Sequence, residues 1–246
     1  MDWSGRVLIL APHPDDEVIG AGGQFASMRD VWVVHITDGA PRNMQDAAEH
    51  GFARREDYAA ARRQESLAAL SLAGIGAGRL LSLGFCDQET VFHLPELKRS
   101  LRTLYRELQP DIVLVPAYEG GHPDHDSVAF TAHAVFPALT EYALYHAGPA
   151  GIEIGTFLDR PATPIETVSL DRAAAAVKRR MLDSFVTQRQ TLALFSNSSE
   201  SFRRAPNYDF AAPPHAGKLY YEYFSWGVNG EQWRELARQT SEGVAA

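Results

Sequence analysis

Val7-Leu8-Ile9-Leu10-Ala11-Pro12-His13-Pro14-Asp15-Asp16-Glu17-Val18-Ile19-Gly20 is the stretch that decides the fold. Its first five residues are wholly apolar, which suits a parallel strand covered on both faces. Residues from about Asp16 to Met28 can form a helix. One imidazole and three carboxylates therefore sit where a buried strand gives way to a helix. Charge that dense beside a core strand is costly unless it is paired or coordinates a metal. The stretch thus reads as half of a metal site.

The same alternation continues along the chain. Strands are expected at Val31–Ile36, Leu80–Phe85, Ile112–Pro116 and near Tyr142–His146, with helices at about Arg54–Leu72, Glu96–Leu108 and from the His122 segment to about Phe136. Strand–helix alternation of this kind predicts an α/β fold: a Rossmann-like, doubly wound, mainly parallel sheet flanked by helices. After Gly148 the pattern loosens. A strand is expected at Thr167–Leu170 and a helix capped by Asp171. A loop is expected at Ser196–Ser201, a strand at Lys218–Trp226 and a closing helix at Glu231–Thr240. The reading is one domain over 1–246, with a parallel core over about 1–148 and an elaboration over about 149–246. The polar segment Ala40–Gly51 is long enough to be a functional loop.

Composition narrows the function. The chain has 246 residues, 45% of them hydrophobic, and a formal net charge of −8. An acidic chain is a poor general nucleic-acid binder, because phosphate neutralisation needs clustered Lys and Arg. Its single cysteine, Cys86, excludes an internal disulfide and a Cys-rich zinc site. No run approaches the roughly 18 apolar residues of a membrane span. No signal peptide is apparent, and a cytoplasmic location is the expectation. The oligomeric state is open, a homo-oligomer included.

In open parallel sheets, ligands bind beyond the carboxyl ends of strands where the strand order reverses. The His13 loop leaves the first strand. The loop Ala117-Tyr118-Glu119-Gly120-Gly121-His122-Pro123-Asp124-His125-Asp126 leaves the fourth. In a doubly wound sheet those strands are neighbours, so the two loops should face one crevice. Together they offer His13, Asp15, Asp16, His122, Asp124 and His125. Two histidines and one carboxylate with an open position form a common catalytic metal set. Not all of these residues need bind, and a hydrolytic site also needs a base and a proton donor.

His13-Pro14-Asp15-Asp16-Glu17 followed by His122-Pro123-Asp124-His125 resembles the PIG-L/LmbE-like family of zinc-dependent N-deacetylases. A looser resemblance, over residue 6 to about 205, includes Thr37-Asp38-Gly39, the Arg62–Glu65 segment, Gly84–Asp87 and Ser199-Glu200-Ser201-Phe202. The resemblance implies that His13, Asp16 and His125 bind Zn2+, with Fe2+ as the other candidate, and that a water takes the fourth position. It implies Asp15 as general base. His122 would be the acid or the oxyanion-stabilising cation, with Asp124 orienting it, and Arg62 and Asp87 would hold sugar hydroxyls. The implied reaction is de-N-acetylation of an N-acetylglucosamine-type amino sugar or related small N-acyl metabolite. Some family members carry a tyrosine where this chain has Gly120; Tyr118 is the candidate substitute. Glu17 reads as structural support, and Gly20-Ala21-Gly22-Gly23 as close helix–sheet packing rather than a phosphate loop.

Two other classes compete. A non-haem iron oxygenase also uses two histidines and a carboxylate, but on antiparallel barrels rather than alternating strands and helices. A non-catalytic α/β ligand-binding module would leave the crowded carboxylates without a purpose.

Overall fold

A computed structural model describes residues 1–159 and 163–242. The chain runs β1 (Arg6–Ala11), α1 (Asp16–Ala21), β2 (Asp30–Pro41), α2 (Gln45–Glu49), α3 (Arg55–Leu72), β3 (Leu80–Asp87), α4 (Leu94–Leu108), β4 (Ile112–Pro116) and α5 (Pro123–His133). It continues through β5 (Thr140–Tyr142), β6 (Tyr145–Gly148), β7 (Gly151–Ile154), β8 (Ile165–Ser169), α6 (Arg172–Asp183), α7 (Arg189–Leu192), β9 (Ser199–Arg204) and α8 (Gly230–Glu242).

The main sheet has the order β3-β2-β1-β4-β5-β9-β8. Its first five strands pair in parallel and its last two antiparallel. The chain winds outward from β1 to β3 and returns to β4 on the other side of β1, as expected of a doubly wound α/β fold. Val7 pairs with Ile112 and Ile9 with Leu114, so the carboxyl ends of β1 and β4 lie side by side. That adjacency brings the two motif loops together.

Alternation along β1 explains why the sheet is buried on both faces. Val7 and Ile9 join a core with Phe25, Leu70, Met181 and Phe185. Leu8 and Leu10 join a second core with Leu97, Leu101, Val128 and Phe136. Helix α1 lies close against the sheet because Gly20 has no side chain; a Cβ there would fall 2.1 Å from the Tyr142 ring. Asp171 caps α6 by accepting the Ala174 N–H at 2.8 Å, as its position predicts.

Several boundaries differ from the sequence reading. The first helix is α-helical only to Ala21 and continues as a 3-10 segment over Gly22–Ser27, where the glycines weaken α-helix formation. Ala40–Gly51 is not one loop: β2 extends to Pro41 and α2 follows. The expected strand near Tyr142–His146 is two strands, β5 in the main sheet and β6 in a hairpin with β7. Ser199–Ser201 is strand rather than loop, because Glu200 and Phe202 are both buried and the Glu200 carboxylate is satisfied by Lys178, Gln24 and the Gly23 N–H. Lys218–Trp226 forms no strand but a 3-10 turn at Tyr220–Tyr223, its rings packing on one another instead of a sheet edge.

Candidate active site

The His13 loop is fixed from several directions. Thr37 donates both its N–H (2.9 Å) and its hydroxyl (2.8 Å) to the Pro12 carbonyl. Asp16 Oδ2 accepts the His13 N–H at 2.9 Å. Glu17 Oε2 accepts the Asp15 N–H at 3.2 Å and lies 3.2 Å from His35 Nε2, which makes Glu17 a support beneath the loop. Asp15 itself has a φ of 143°, a strained conformation for a non-glycine residue that a rigid surrounding must hold.

Across the crevice, Asp126 Oδ1 accepts the N–H groups of Glu119 (3.3 Å) and Gly120 (3.1 Å) and shapes the turn before His122. Gly121 lets that turn approach the Tyr145 carbonyl, which a Cβ would meet at 2.2 Å. Pro123 opens α5 and places Asp124 and His125 in its first turn.

The two loops meet. His13 Nδ1 lies 3.1 Å from Asp16 Oδ2, His125 Nε2 lies 3.3 Å from the same oxygen, and the two ring nitrogens are 3.3 Å apart. Asp16, His125 and His13 are all buried. A tetrahedral ion with bonds of about 2.0–2.1 Å needs ligand atoms roughly 3.4 Å apart, close to this triangle. The other nitrogen of His13 faces away, with Nε2 3.2 Å from Asp124 Oδ2. A proton there leaves a lone pair on Nδ1, so three acceptor atoms converge on one point. Such a set fits a divalent cation and leaves further positions open. The Asp124 carboxylate behind His13 fixes the ring's tautomer and orientation, as carboxylates behind metal-binding histidines do.

Two other groupings also have donor atoms within 4.8 Å of one another: His13 with His122 and His125, and His13 with Asp87, His122 and Asp124. In the first, burial keeps His122 neutral but it is held as an N-cap through Nδ1. The second is the weaker candidate because Asp124 is already committed. Its carboxylate accepts the Gln88 N–H (2.7 Å), the Thr90 N–H (3.1 Å) and the Thr90 hydroxyl (2.5 Å).

The carboxylates around His13 favour positive charge there. Burial opposes its protonation, but Asp87, Asp124 and Asp16 outweigh that and raise its pKa well above the usual range. Burial likewise opposes the charge of Asp16, and His125 and His13 overcome it, holding this carboxyl well below its ordinary value. Asp15 goes the other way: burial pushes it up to about 8, against the pull of Arg62. His122 is driven well below its usual value by burial and by His13, which keeps it neutral.

Asp15, His122, Asp87 and Arg62 line one cavity of about 340 Å³ together with His13 and Asp16. A larger cleft of about 740 Å³ runs along α8 and contains none of the motif residues. Arg62, from α3, is buried; it donates to the Pro14 carbonyl (2.8 Å), Asp15 Oδ2 (3.0 Å) and the Gly39 carbonyl (3.1 Å). Gly39 has φ +65°, and a Cβ there would strike Pro14 at 2.8 Å. The Thr37-Asp38-Gly39 motif thus supports the His13 loop rather than contacting a ligand.

Asp124 departs from its expected part. Its Oδ2 is 3.8 Å from His122 Nδ1, too far for a hydrogen bond, and that nitrogen accepts the Asp124 N–H at 3.1 Å. Asp124 orients His13, while His122 is held as an N-cap with its proton on Nε2. Tyr118 does not replace a tyrosine at Gly120: its hydroxyl donates to the Ala212 carbonyl at 2.9 Å and its ring stacks on Trp233.

Tyr145, Trp226 and Asp46 also line the cavity. The Tyr145 ring packs 5.2 Å from that of His125, and the Trp226 ring 4.6 Å from that of His122. The aromatic run near residue 220 was the visible signal for Trp226, and Asp46 falls within Ala40–Gly51, the segment read as a functional loop. His93 and His215 lie away from the cavity, and His50 lines it.

Residues 8–136, just over half of the chain, match the sequence profile of the family described as PIG-L, GlcNAc-PI de-N-acetylase. The chain belongs to the PIG-L family. It is 32% identical over 164 residues to a probable N-acetyl-alpha-D-glucosaminyl L-malate deacetylase 2 of Bacillus anthracis, covering 61% of this chain and 70% of that one. It is 33% identical over 134 residues to the diacetylchitobiose deacetylase of Thermococcus kodakarensis, covering 51% and 46%. The match thus spans less than half of the latter protein. A crystal structure of a deacetylase from the teicoplanin biosynthesis pathway superposes with a TM-score of 0.63 at 18% identity, over 83% of this PIG-L chain and 99% of that one. That likeness establishes the shared α/β fold. The family profile ends at residue 136, so Tyr145 and Trp226 lie outside it.

Proposed function

We propose that this PIG-L chain, acting as one unit over 1–246, is a metal-dependent N-deacetylase that hydrolyses the acetamide of an N-acetylglucosamine-type amino sugar. The observation that carries the reading is the triangle of His13 Nδ1, Asp16 Oδ2 and His125 Nε2, two of whose members, His13 and Asp16, line the same cavity as Asp15 and His122. His13, Asp16 and His125 hold the ion, zinc or ferrous iron. When bound, the ion polarises the amide carbonyl and lowers the pKa of water.

The chain's own groups do the rest. Asp15 accepts a proton from the attacking water; its burial makes it a stronger base than an ordinary carboxylate. Arg62 fixes the Asp15 carboxylate in place. His122 points Nε2–H into the cavity as a neutral donor, able to stabilise negative charge developing on the amide oxygen. Asp15, once protonated, is within the same cavity to return the proton to the leaving amine. Asp124 holds His13 in the tautomer that ligates, and Asp87, at the end of β3, accepts from substrate hydroxyls.

The two-histidine, one-carboxylate set also occurs in iron oxygenases, but family membership and the parallel sheet favour hydrolysis. Acetate and amine release from N-acetylglucosamine conjugates by metal-loaded protein tests the reading. Asp15→Asn should retain about one ion per chain while turnover falls roughly 10²–10⁴-fold. If metal-loaded protein releases amine from no N-acyl compound in a broad panel, the deacetylase reading is wrong.

A further inference from the structure

Helix α3 presents Tyr58, Arg62 and Glu65 at the i, i+4, i+7 spacing of one helix face. Arg62 is accounted for, since it holds Asp15. Glu65 has no part in the hydrolysis. Both of its oxygens serve one residue far along the chain: Oε1 accepts the Thr187 N–H at 2.8 Å and Oε2 accepts the Thr187 hydroxyl at 2.6 Å. Two turns earlier on the same face, the Tyr58 hydroxyl accepts from Gln188 Nε2 at 2.7 Å.

Thr187 and Gln188 lie in the 3-10 turn Val186–Gln188 between α6 and α7. This turn and the chain that follows it contribute Thr187, Gln188, Gln190, Thr191, Leu192 and Phe195 to the cavity that also holds His13, Asp15 and His122. The segment is fastened in two ways. Phe185, Leu192 and Phe195 are buried and join the core that contains Val18, Ile19 and Met181. Apolar packing of this kind is strong but non-directional. The paired bonds from Thr187 to a charged acceptor supply the direction. Thr187 is 7% exposed, so its N–H has little access to water if Glu65 is lost.

Gln190 and Thr191 differ from their neighbours. Both are exposed, and among the described residues their side chains make no hydrogen bond. They are neutral groups that can donate and accept, which suits sugar hydroxyls. The family profile covers Glu65 but ends before this segment begins.

We propose that Thr187–Phe195 is the wall that selects the sugar, meeting its hydroxyls through Gln190 and Thr191, and that Glu65 is the positioning residue that sets this wall against the catalytic base. This rests on the deacetylase reading and deepens it. Helix α3 holds the base through Arg62 and the wall through Glu65, so one rigid element fixes the distance between the attacked acetamide and the groups that grip the ring.

The methyl glycosides of N-acetylglucosamine and of its 4-epimer, N-acetylgalactosamine, are the probes. In Glu65→Ala, KM for the N-acetylglucosamine glycoside should rise about tenfold while kcat stays within about threefold of the parent, the pattern of lost uniform binding. The ratio of kcat/KM between the epimers should move towards one. Glu65→Gln keeps an acceptor for the Thr187 N–H and should fall between the two. Thr187→Val removes only the hydroxyl; it should act in the same direction, and adding it to Glu65→Ala should change little further. Metal content per chain should match the parent throughout. A fall in kcat at unchanged KM, or a loss of metal, shows that Glu65 acts on the base through Arg62 and overturns the proposal. A parent that takes both epimers equally overturns the selecting role.

Amide hydrogen exchange reads the positioning role without turnover. Exchange over 187–195 should quicken about tenfold in Glu65→Ala while β1 and α5 keep the parent's rates. If the parent hydrolyses no N-acyl compound but exchange quickens there alone, the positioning role holds and the reaction is wrong. Unchanged exchange refutes the positioning role in either case.

Discussion

Arg62 Nη2 donates to Asp15 Oδ2 at 3.0 Å, with both side chains nearly sealed from solvent. This buried pair joins α3 to the strained turn after β1. Its direct effect is on the base. Burial raises the Asp15 pKa to about 8, and Arg62 is the largest opposing influence. Removing the guanidinium raises that pKa further, and catalysis needs the carboxylate form. Arg62→Met should therefore shift the acid limb of the pH–kcat profile towards alkaline pH and lower kcat about 10–100-fold at neutral pH. Metal content, measured alongside, should stay near that of the parent, since Arg62 touches no member of the ligand triangle.

Asp124 gives the complementary outcome. It holds His13 through Nε2 and is itself anchored by Gln88 and Thr90. Asp124→Ala removes one of the two carboxylates at His13 Nε2, the other being Asp87 at 3.1 Å, and loosens the ring's orientation and tautomer. Metal affinity should fall about 10–100-fold, the usual loss for a second-shell acceptor. Competition with a chromogenic chelator measures it. An unchanged affinity would show that the metal is held by other residues.

Lys178 and Glu200 form a buried ion pair at 2.7 Å behind the site. Glu200 also accepts the Gly23 N–H (2.8 Å) and Gln24 Nε2 (3.1 Å), so β9 and α6 are tied to the segment that follows α1. Glu200→Gln leaves a buried ammonium without its counter-charge and should cost about 3–5 kcal/mol in denaturant unfolding. The pH dependence has a defined sign. Burial lowers the Lys178 pKa, and Glu200 only partly offsets this. The unfolded chain therefore binds the proton more strongly than the native one. Lys178 contributes a stability that rises with pH through the window below about 10.5, its unperturbed value. Lys178→Met should flatten that rise relative to the parent.

How far the sequence revealed this molecule depended on whether a residue's partners were local. The continuous apolar run at β1, and its likeness to β4, made the parallel core legible, and strand order then put His13 beside His122. Two corners of the ligand triangle, His13 and Asp16, stand three residues apart at one helix start, a short-range pattern; the third, His125, is assigned by the family resemblance. The anchoring of Asp124 was hidden because its partners, Gln88 and Thr90, come from the turn after β3, and nothing in the spacing of His122 to His125 reveals that contact. Strand β9 was hidden because its buried Glu200 reads as polar, and its satisfaction by Lys178 and Gln24 is non-local. Trp226 reached the site through a segment without regular structure, where no periodicity announces direction.

Gly120 shows how such a segment alters a familiar motif. The family resemblance points to tyrosine there, and an engineer would introduce it to gain an oxyanion donor. The position refuses it. Gly120 has φ +70°, and a Cβ would lie 2.8 Å from Leu219 Cδ2 and 3.2 Å from Pro214. The Gly120 carbonyl also accepts the Tyr220 N–H at 2.9 Å, so the C-terminal segment is seated on this turn. A tyrosine would combine left-handed backbone strain with overpacking, at a cost of at least about 2 kcal/mol. It would also lift the segment that carries Trp226 onto His122. Gly120→Tyr should therefore lower both the unfolding midpoint and the deacetylation rate. A rate increase at unchanged stability would show that this space is free in solution and that the C-terminal wall does not bear on His122.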